Sequence, residues 1–325
     1  MVSRGSRPAS GRKPKRGRTK SRRLGLYSML ATVALLGGVI WLGSYYSLQP
    51  RVEALPSTIP FSREEWMDFV PDSAQFVAYV NYQAAYEATG NYTLFGTNPL
   101  IEIYSPPVGI YPNSVEYEVA INLAGQGGDQ GLPSVSVLKL ELNEAHSLDS
   151  ALGSSSSLHR TPHGKHEIYA LLIRRKELQT QLVSASVAVR GQHLLFAQGP
   201  GSGVWIGQLL DTADYGQNHL FSQSSAQTAL YASGGSQNEY LALFVTTFPT
   251  QVEGAKIAVK TVSTMSGVVS SRFAFSFDSQ DQARAHYEKI RGLYTGGSDY
   301  WILGSYVVVT FRSEMAGLSD QIRGL

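Results

Sequence analysis

The stretch VRGQHLLFAQGPGSGVWIGQLL at Val189–Leu210 aligns without a gap on ILGSYVVVTFRSEMAGLSDQIR at Ile302–Arg323. In each, an apolar strand reaches a glycine, Gly191 or Gly304, and turns into a second apolar strand. A helical pattern follows, with apolar residues four apart on one face, Trp205/Leu209 and Leu318/Ile322. Upstream, VLKLELNEAHSLDSAL and RFAFSFDSQDQARAHYEKI each read as an alternating strand entering a helix, with a different spacer before the hairpin. Hairpins and amphipathic helices are common, so coincidence is the competing explanation. The gapless match and the shared element order favour a duplicated strand–helix–hairpin–helix unit. Two copies are too few for a solenoid, which needs at least about three.

Working outward, SVEYEVAINL and SVSVLKLEL alternate apolar and polar residues with the period of a half-buried strand. VPDSAQFVAYVNYQAAYEA predicts a turn at Pro71-Asp72, a strand at Ala74–Asn81 and a helix through Ala88. In SREEWMDF, Ser62 followed three residues on by Glu65 has the spacing of a capping box and predicts a short helix through Phe69. GQGGDQGLP and GSSSSLHRTPHGK read as loops. The expected fold class is α+β: an N-terminal transmembrane helix, then an ectodomain of two related α+β halves, 62–213 and 214–325, with mainly antiparallel sheets.

The transmembrane expectation rests on 24–48, a run of 25 uncharged and mostly apolar residues. At about 1.5 Å per residue such a helix exceeds the roughly 30 Å hydrocarbon core, so it crosses with tilt. Tyr27 near one end and Trp41, Tyr45 and Tyr46 near the other suit the two interfaces. A cleaved export signal is the alternative, because SRRLGL matches part of a twin-arginine signal. Signal cores are usually about 7–15 residues, which favours the retained anchor. Residues 1–23 carry ten of the 27 Lys and Arg and no acid, which predicts a disordered tail held on the cytoplasmic side. The three prolines of 49–61 predict an extended stalk.

Beyond the tail, 17 bases face 25 acids, so the basic balance of the whole chain does not point to a specific nucleic-acid partner. The absence of cysteine excludes disulfides, thiol catalysis and Cys-ligated metal sites.

Pro71-Asp72-Ser73-Ala74, the strand Phe76–Val80 and the hairpins at Gly191 and Gly304 resemble membrane-anchored prokaryotic ectodomains of uncharacterised function that carry a similar repeated unit. The resemblance implies location and architecture, and it brings no catalytic residues.

HRTPHGKHE places His159, His163 and His166 beside Glu167, the donor types of a zinc or copper site. The spacing fits no metal motif, and Pro162 and Gly164 exclude a helix, so a solvated loop is the plainer expectation. GPGSGVW could cradle an anion at a helix start, yet it lacks the Lys-Ser/Thr of a phosphate loop, and a local turn explains it better. No serine sits in an acyl-transfer motif. The acid pairs Glu64-Glu65 and Glu116/Glu118 read as solvated faces, with nothing to raise a carboxyl pKa. Asn91 opens an Asn-Tyr-Thr sequon and is a glycosylation candidate. The 18 tyrosines suit either interface anchors or half-buried strand packing.

No catalytic, cofactor or metal residue is therefore assigned. The expected protein is a single-pass membrane protein, cytoplasmic at its N-terminus, whose extracytoplasmic domain has a non-enzymatic binding, scaffolding or envelope-complex role. Its expected partners are the lipid bilayer and envelope or membrane proteins. An exported hydrolase-like enzyme, or a small-ligand sensor or carrier using a cleft between the halves, is the alternative.

Overall fold

The period-two segments all enter one sheet. The computed structural model describes residues 50–90, 100–123, 135–175, 181–216, 218–235, 240–246, 252–265 and 267–318. In chain order the elements are β1 (Arg51–Glu53), β2 (Ala74–Asn81), α1 (Tyr82–Thr89), β3 (Ile101–Tyr104), β4 (Pro107–Ile110), β5 (Val115–Leu123) and β6 (Val135–Leu140). There follow α2 (Leu142–Ser154), β7 (His159–His163), β8 (His166–Arg175), β9 (Val183–Arg190), β10 (His193–Gln198), α3 (Ser202–Tyr215) and α4 (Ser224–Ala232). The last are β11 (Leu241–Val245), β12 (Ile257–Met265), β13 (Val268–Ser276), α5 (Gln280–Leu293), β14 (Asp299–Leu303) and β15 (Tyr306–Glu314).

The strands run β1-β14-β15-β13-β12-β11-β2-β5-β6-β10-β9-β8-β3-β4, with β7 beside β8. All these pairings are antiparallel except the short β1–β14 ladder. The expectation of an ectodomain of two related α+β halves is thereby corrected to a single sheet-dominated mixed fold. Its cause is the seam: β2 and β11 pair directly, Val77 opposite Phe244 and Tyr79 opposite Ala242, so neither half has a free inner edge. Arg51–Leu325 is one compact unit. The anchor expected at 24–48 lies outside the described residues. Among the described residues no helix is long and apolar enough to cross a membrane.

Away from the seam, strand order on the two sides matches: β2-β5-β6-β10-β9 and β11-β12-β13-β15-β14. Gly191 (φ 61°) turns β9 into β10, and Gly304 (φ 58°) turns β14 into β15, with closing pairs Arg190–His193 and Leu303–Tyr306. Both turns need a left-handed residue, which glycine adopts without a Cβ penalty. The unequal spacer seen in sequence is the β7–β8 hairpin, which is present in the first half alone among the described residues.

One sheet face is a continuous apolar core that includes Val77, Val137, Leu195, Val259 and Val308 under α3, α4 and residues 65–70. On the other face α2 places Ala145, Leu148 and Leu152 over the first half. There α5 places Ala283, Tyr287 and Ile290 over Phe275 and Val307 of the second half. Both sets follow the three-to-four spacing of one helix face. Ser279 caps α5 by accepting from Gln282 N at 3.2 Å, and Asn81 caps α1 by accepting from Ala84 N at 2.9 Å.

Two local expectations are corrected. Residues 65–69 form a short 3-10 helix with Glu64 in the capping position, and Trp66 Nε1 donates to Glu64 Oε2 at 2.7 Å in place of a Ser62–Glu65 box. Burial raises the Glu64 pKa, partly offset by that hydrogen bond. Glu118 is no solvated acid: it is 2% exposed, accepts from Tyr82 Oη at 3.1 Å and pairs with buried Arg175 at 3.4 Å.

Candidate functional site

Turn chemistry builds the first wall of the site. Gly164 (φ 58°) and Lys165 close a two-residue turn, so HRTPHGKHE is a β-hairpin and not the expected loop, with His163 and His166 as its closing pair. Closing-pair side chains sit about 4.5–5.5 Å apart on one face. Helix α3 carries Asp211 and Asp214 at i, i+3, a separation of about 5–6 Å on a helix surface. The two spacings match. His163 Nε2 meets Asp211 Oδ1 at 2.9 Å, and His166 Nε2 meets Asp214 Oδ2 at 2.9 Å.

Asp214 also accepts from Arg190 Nε at 2.8 Å and lies 3.3 Å from Lys165 Nζ. Burial pushes its carboxyl up, but hydrogen bonds from Arg190, His166 and Lys165 outweigh burial and hold the pKa at about 2. The far end of α3 is fastened by Ser202 Oγ to Ser186 Oγ at 2.7 Å. Between these fastenings Gly207 leaves room for the imidazole: a Cβ there would lie 2.9 Å from His163 Cε1 and would push the ring aside.

The hairpin and α3 thus enclose a cleft of about 830 Å³. Ile168 and Ala170 of β8 form an apolar floor, while Thr161, Ser186, Gln208, Asp72, Asp211 and Asn218 supply polar groups. Gln208 Nε2 donates to Ser73 Oγ at 2.8 Å, and Asp72 N donates to Asn218 O at 2.8 Å, closing the Pro71 corner against α3. Val204 and Tyr215 line the cleft and stand 74% and 68% exposed. Asp72 and Asp211 make the lining acidic, with His163 the basic side chain among the lining residues.

No protein-family model matches the chain, and no curated protein matches it. Three solved structures are similar in outline: crystal forms I, III and IV of TP0453, each 8% identical, with TM-scores of 0.41, 0.42 and 0.41. They cover 80%, 81% and 79% of this chain and 97%, 99% and 95% of their own.

Of the metal-ligand candidates, the structure brings His163 and His166 together and bonds each to a different aspartate. His159 lies at the exposed start of β7, opposite Ala170. Among the described residues no group of three or more His, Asp or Glu side chains is placed to hold a metal. GPGSGVW is a turn with Gly199 (φ 89°) and Gly201 (φ 82°) leading into α3. Asn91 lies outside the described residues. All of the cleft lining except Tyr215 and Asn218 falls within 62–213, the expected first half.

Sequence reading missed Asp211, Asp214 and Arg190. The available signal was the match between Asp-x-x-Asp on a helix and two histidines flanking a Gly-Lys turn.

A second polar cluster underlies residues 65–69. Tyr117 Oη bonds His193 Nε2 at 2.8 Å, and Lys139 lies 3.1 Å from both Glu65 and Glu116. Burial lowers His193 to about 4, and burial, followed by the Glu65 charge, raises Tyr117. A neutral imidazole accepting from a protonated phenol ties β5 to β10.

Proposed function

We propose that the protein is a membrane-tethered extracytoplasmic binding domain whose α3 cleft receives an extended, basic or neutral segment of an envelope protein. The observation that carries this reading is the cleft itself. Its small apolar floor, ring of hydrogen-bonding groups, acidic lining and unpaired apolar rim suit a peptide-like partner. Exposed aromatic and aliphatic side chains at such a rim are the usual anchors of a protein contact. The tether rests on the 24–48 run and the ten preceding charges.

The test compares full-length protein purified from native membranes in mild detergent with the double variant Val204→Asp, Tyr215→Asp. Both positions are exposed, so folding is expected to survive. A partner retained by the parent and lost by the variant supports the reading. Recovery of the parent alone, or a partner indifferent to the change, contradicts it.

One observation favours a second reading, an exported hydrolase-like enzyme: His163 faces the cleft and is held by Asp211, an arrangement that orients a general base. Turnover of an ester, amide or glycoside that His163→Ala abolishes would establish it.

A further inference from the structure

Arg272 points from β13 toward the face that carries α4. Its Nε is buried without a hydrogen-bond partner, and its guanidinium lies 5.4 Å from the centre of the Trp301 ring. The other arginines shielded on this sheet have carboxylates: Arg174 has Glu102, Arg175 has Glu118 and Arg190 has Asp214. Among the described residues Arg272 has none.

The sheet register explains what surrounds it. Thr261, Arg272, Thr310 and Asp299 form one cross-strand row over β12, β13, β15 and β14. Thr310 Oγ1 in that row is buried without a partner. Arg312, two residues along β15 on the same face, is exposed. The nearby acids Asp299 and Glu53 are both approached by Arg51, at 3.9 Å for Asp299, so that three arginines, Arg51, Arg272 and Arg312, face two carboxylates. Burial, and next the charge of Arg312, lower the Arg272 pKa, and the more distant charges of Asp299 and Glu53 only partly offset them.

Arg272 opens into a cavity of about 350 Å³ bounded by Trp301, Leu303, Tyr231, Pro60 and Gly234, with Glu53, itself paired to Arg51, the one carboxylate in its lining. Gly234 has φ 112°, and a Cβ there would lie 3.5 Å from Arg272 Nη1 and 3.3 Å from Thr261 Oγ1. A side chain would therefore close over the guanidinium.

We propose that Arg272 and the cavity against Trp301 bind an oxyanion, a carboxylate or phosphate head group carried on a body with an apolar or ring face. The planar guanidinium matches two oxygens of such a group, and stacking on Trp301 fixes its plane. Arg312 adds attraction at the mouth. This site shares no residue with the α3 cleft and stands apart from the reading of that cleft.

Full-length protein in detergent is titrated with inorganic phosphate and with hexanoate, followed by calorimetry and by ligand-observed NMR. Saturable binding of at least one is expected, weakened about tenfold or more by Arg272→Gln and less by Arg272→Lys. Trp301→Phe, which keeps an apolar ring, is expected to weaken it less than Arg272→Gln. Thermal melts check that each variant folds. Repeating the titration in nanodiscs of neutral lipid with and without anionic phospholipid assigns the source. Competition by the anionic lipid identifies a lipid head group, and no competition identifies a soluble anion. Absence of saturable binding by both probes, or binding unchanged in folded Arg272→Gln, overturns the proposal.

Discussion

The two sides of the β2–β11 seam share a strand order and a pair of matching glycine hairpins, yet they present different surfaces. Setting hairpin on hairpin places His193 against Tyr306 and Leu195 against Val308; through the strand registers it places Val135 against Arg272. The first half inserts the β7–β8 hairpin and follows β10 with the long helix α3, and their junction makes the large cleft. Among the described residues the second half follows β15 with a 3-10 turn at 315–317, and it puts a charged arginine where the first half has a buried valine. Backbone pairing keeps the frame alike, whereas insertions and single face-pointing substitutions set the chemistry.

The largest effect is expected where a buried charge would lose its partner. Arg175→Met leaves Glu118 unpaired in the core of the first half and is expected to cost about 3–5 kcal/mol. Urea denaturation checks it, and a loss below about 1 kcal/mol would show that Glu118 is not held as described.

The matched core positions test the seam. Leu195→Ala is expected to cost about 2–5 kcal/mol and Val308→Ala about 2 kcal/mol, since both side chains are fully buried. If the sheet is one cooperative unit, each variant shifts a single transition seen equally by circular dichroism and tryptophan fluorescence. Two separate transitions, one per half, would break the comparison in favour of independent domains.

The two polar clusters of the first half give pH signatures. His193, held near 4 against an ordinary 6.5, binds a proton more readily unfolded than folded. Its contribution is full above pH 6.5 and is lost as pH falls from 6.5 through 4. His193→Tyr, the residue found at the matching position of the second half, is expected to flatten that part of the stability–pH profile. Smallest is Asp214→Asn, expected to cost about 1 kcal/mol at neutral pH, in keeping with partly solvated ion pairs. Because the folded pKa is depressed from 3.8 to about 2, this difference between parent and variant should fade as pH drops through that window. A difference that persists at pH 2 would count against the Arg190–Asp214–His166 cluster.

Much of the frame was readable because it depends on local rules. Period-two runs named β2, β5 and β6, and the glycines at 191 and 304 named the hairpins. What the sequence hid is what depends on partners distant along the chain. Nothing local distinguishes Glu118 from a solvated strand acid until β5 lies between β2 and β6 and Arg175 reaches it. The seam was hidden for the same reason, since β2 and β11 are about 160 residues apart and edge strands look like central ones when both faces are buried. The histidines were visible, but their aspartates lie 48 residues on, and only the helix-to-hairpin spacing match joins them.

The most direct test of the account places a photo-crosslinking amino acid at Val204 on the cleft rim and, separately, at Leu293 on α5, which is 50% exposed in the second half. Both are introduced into the full-length chain in native membranes. A discrete adduct is expected from position 204, suppressed by Tyr215→Asp, and none from position 293. Adducts from 293 with none from 204 would contradict it.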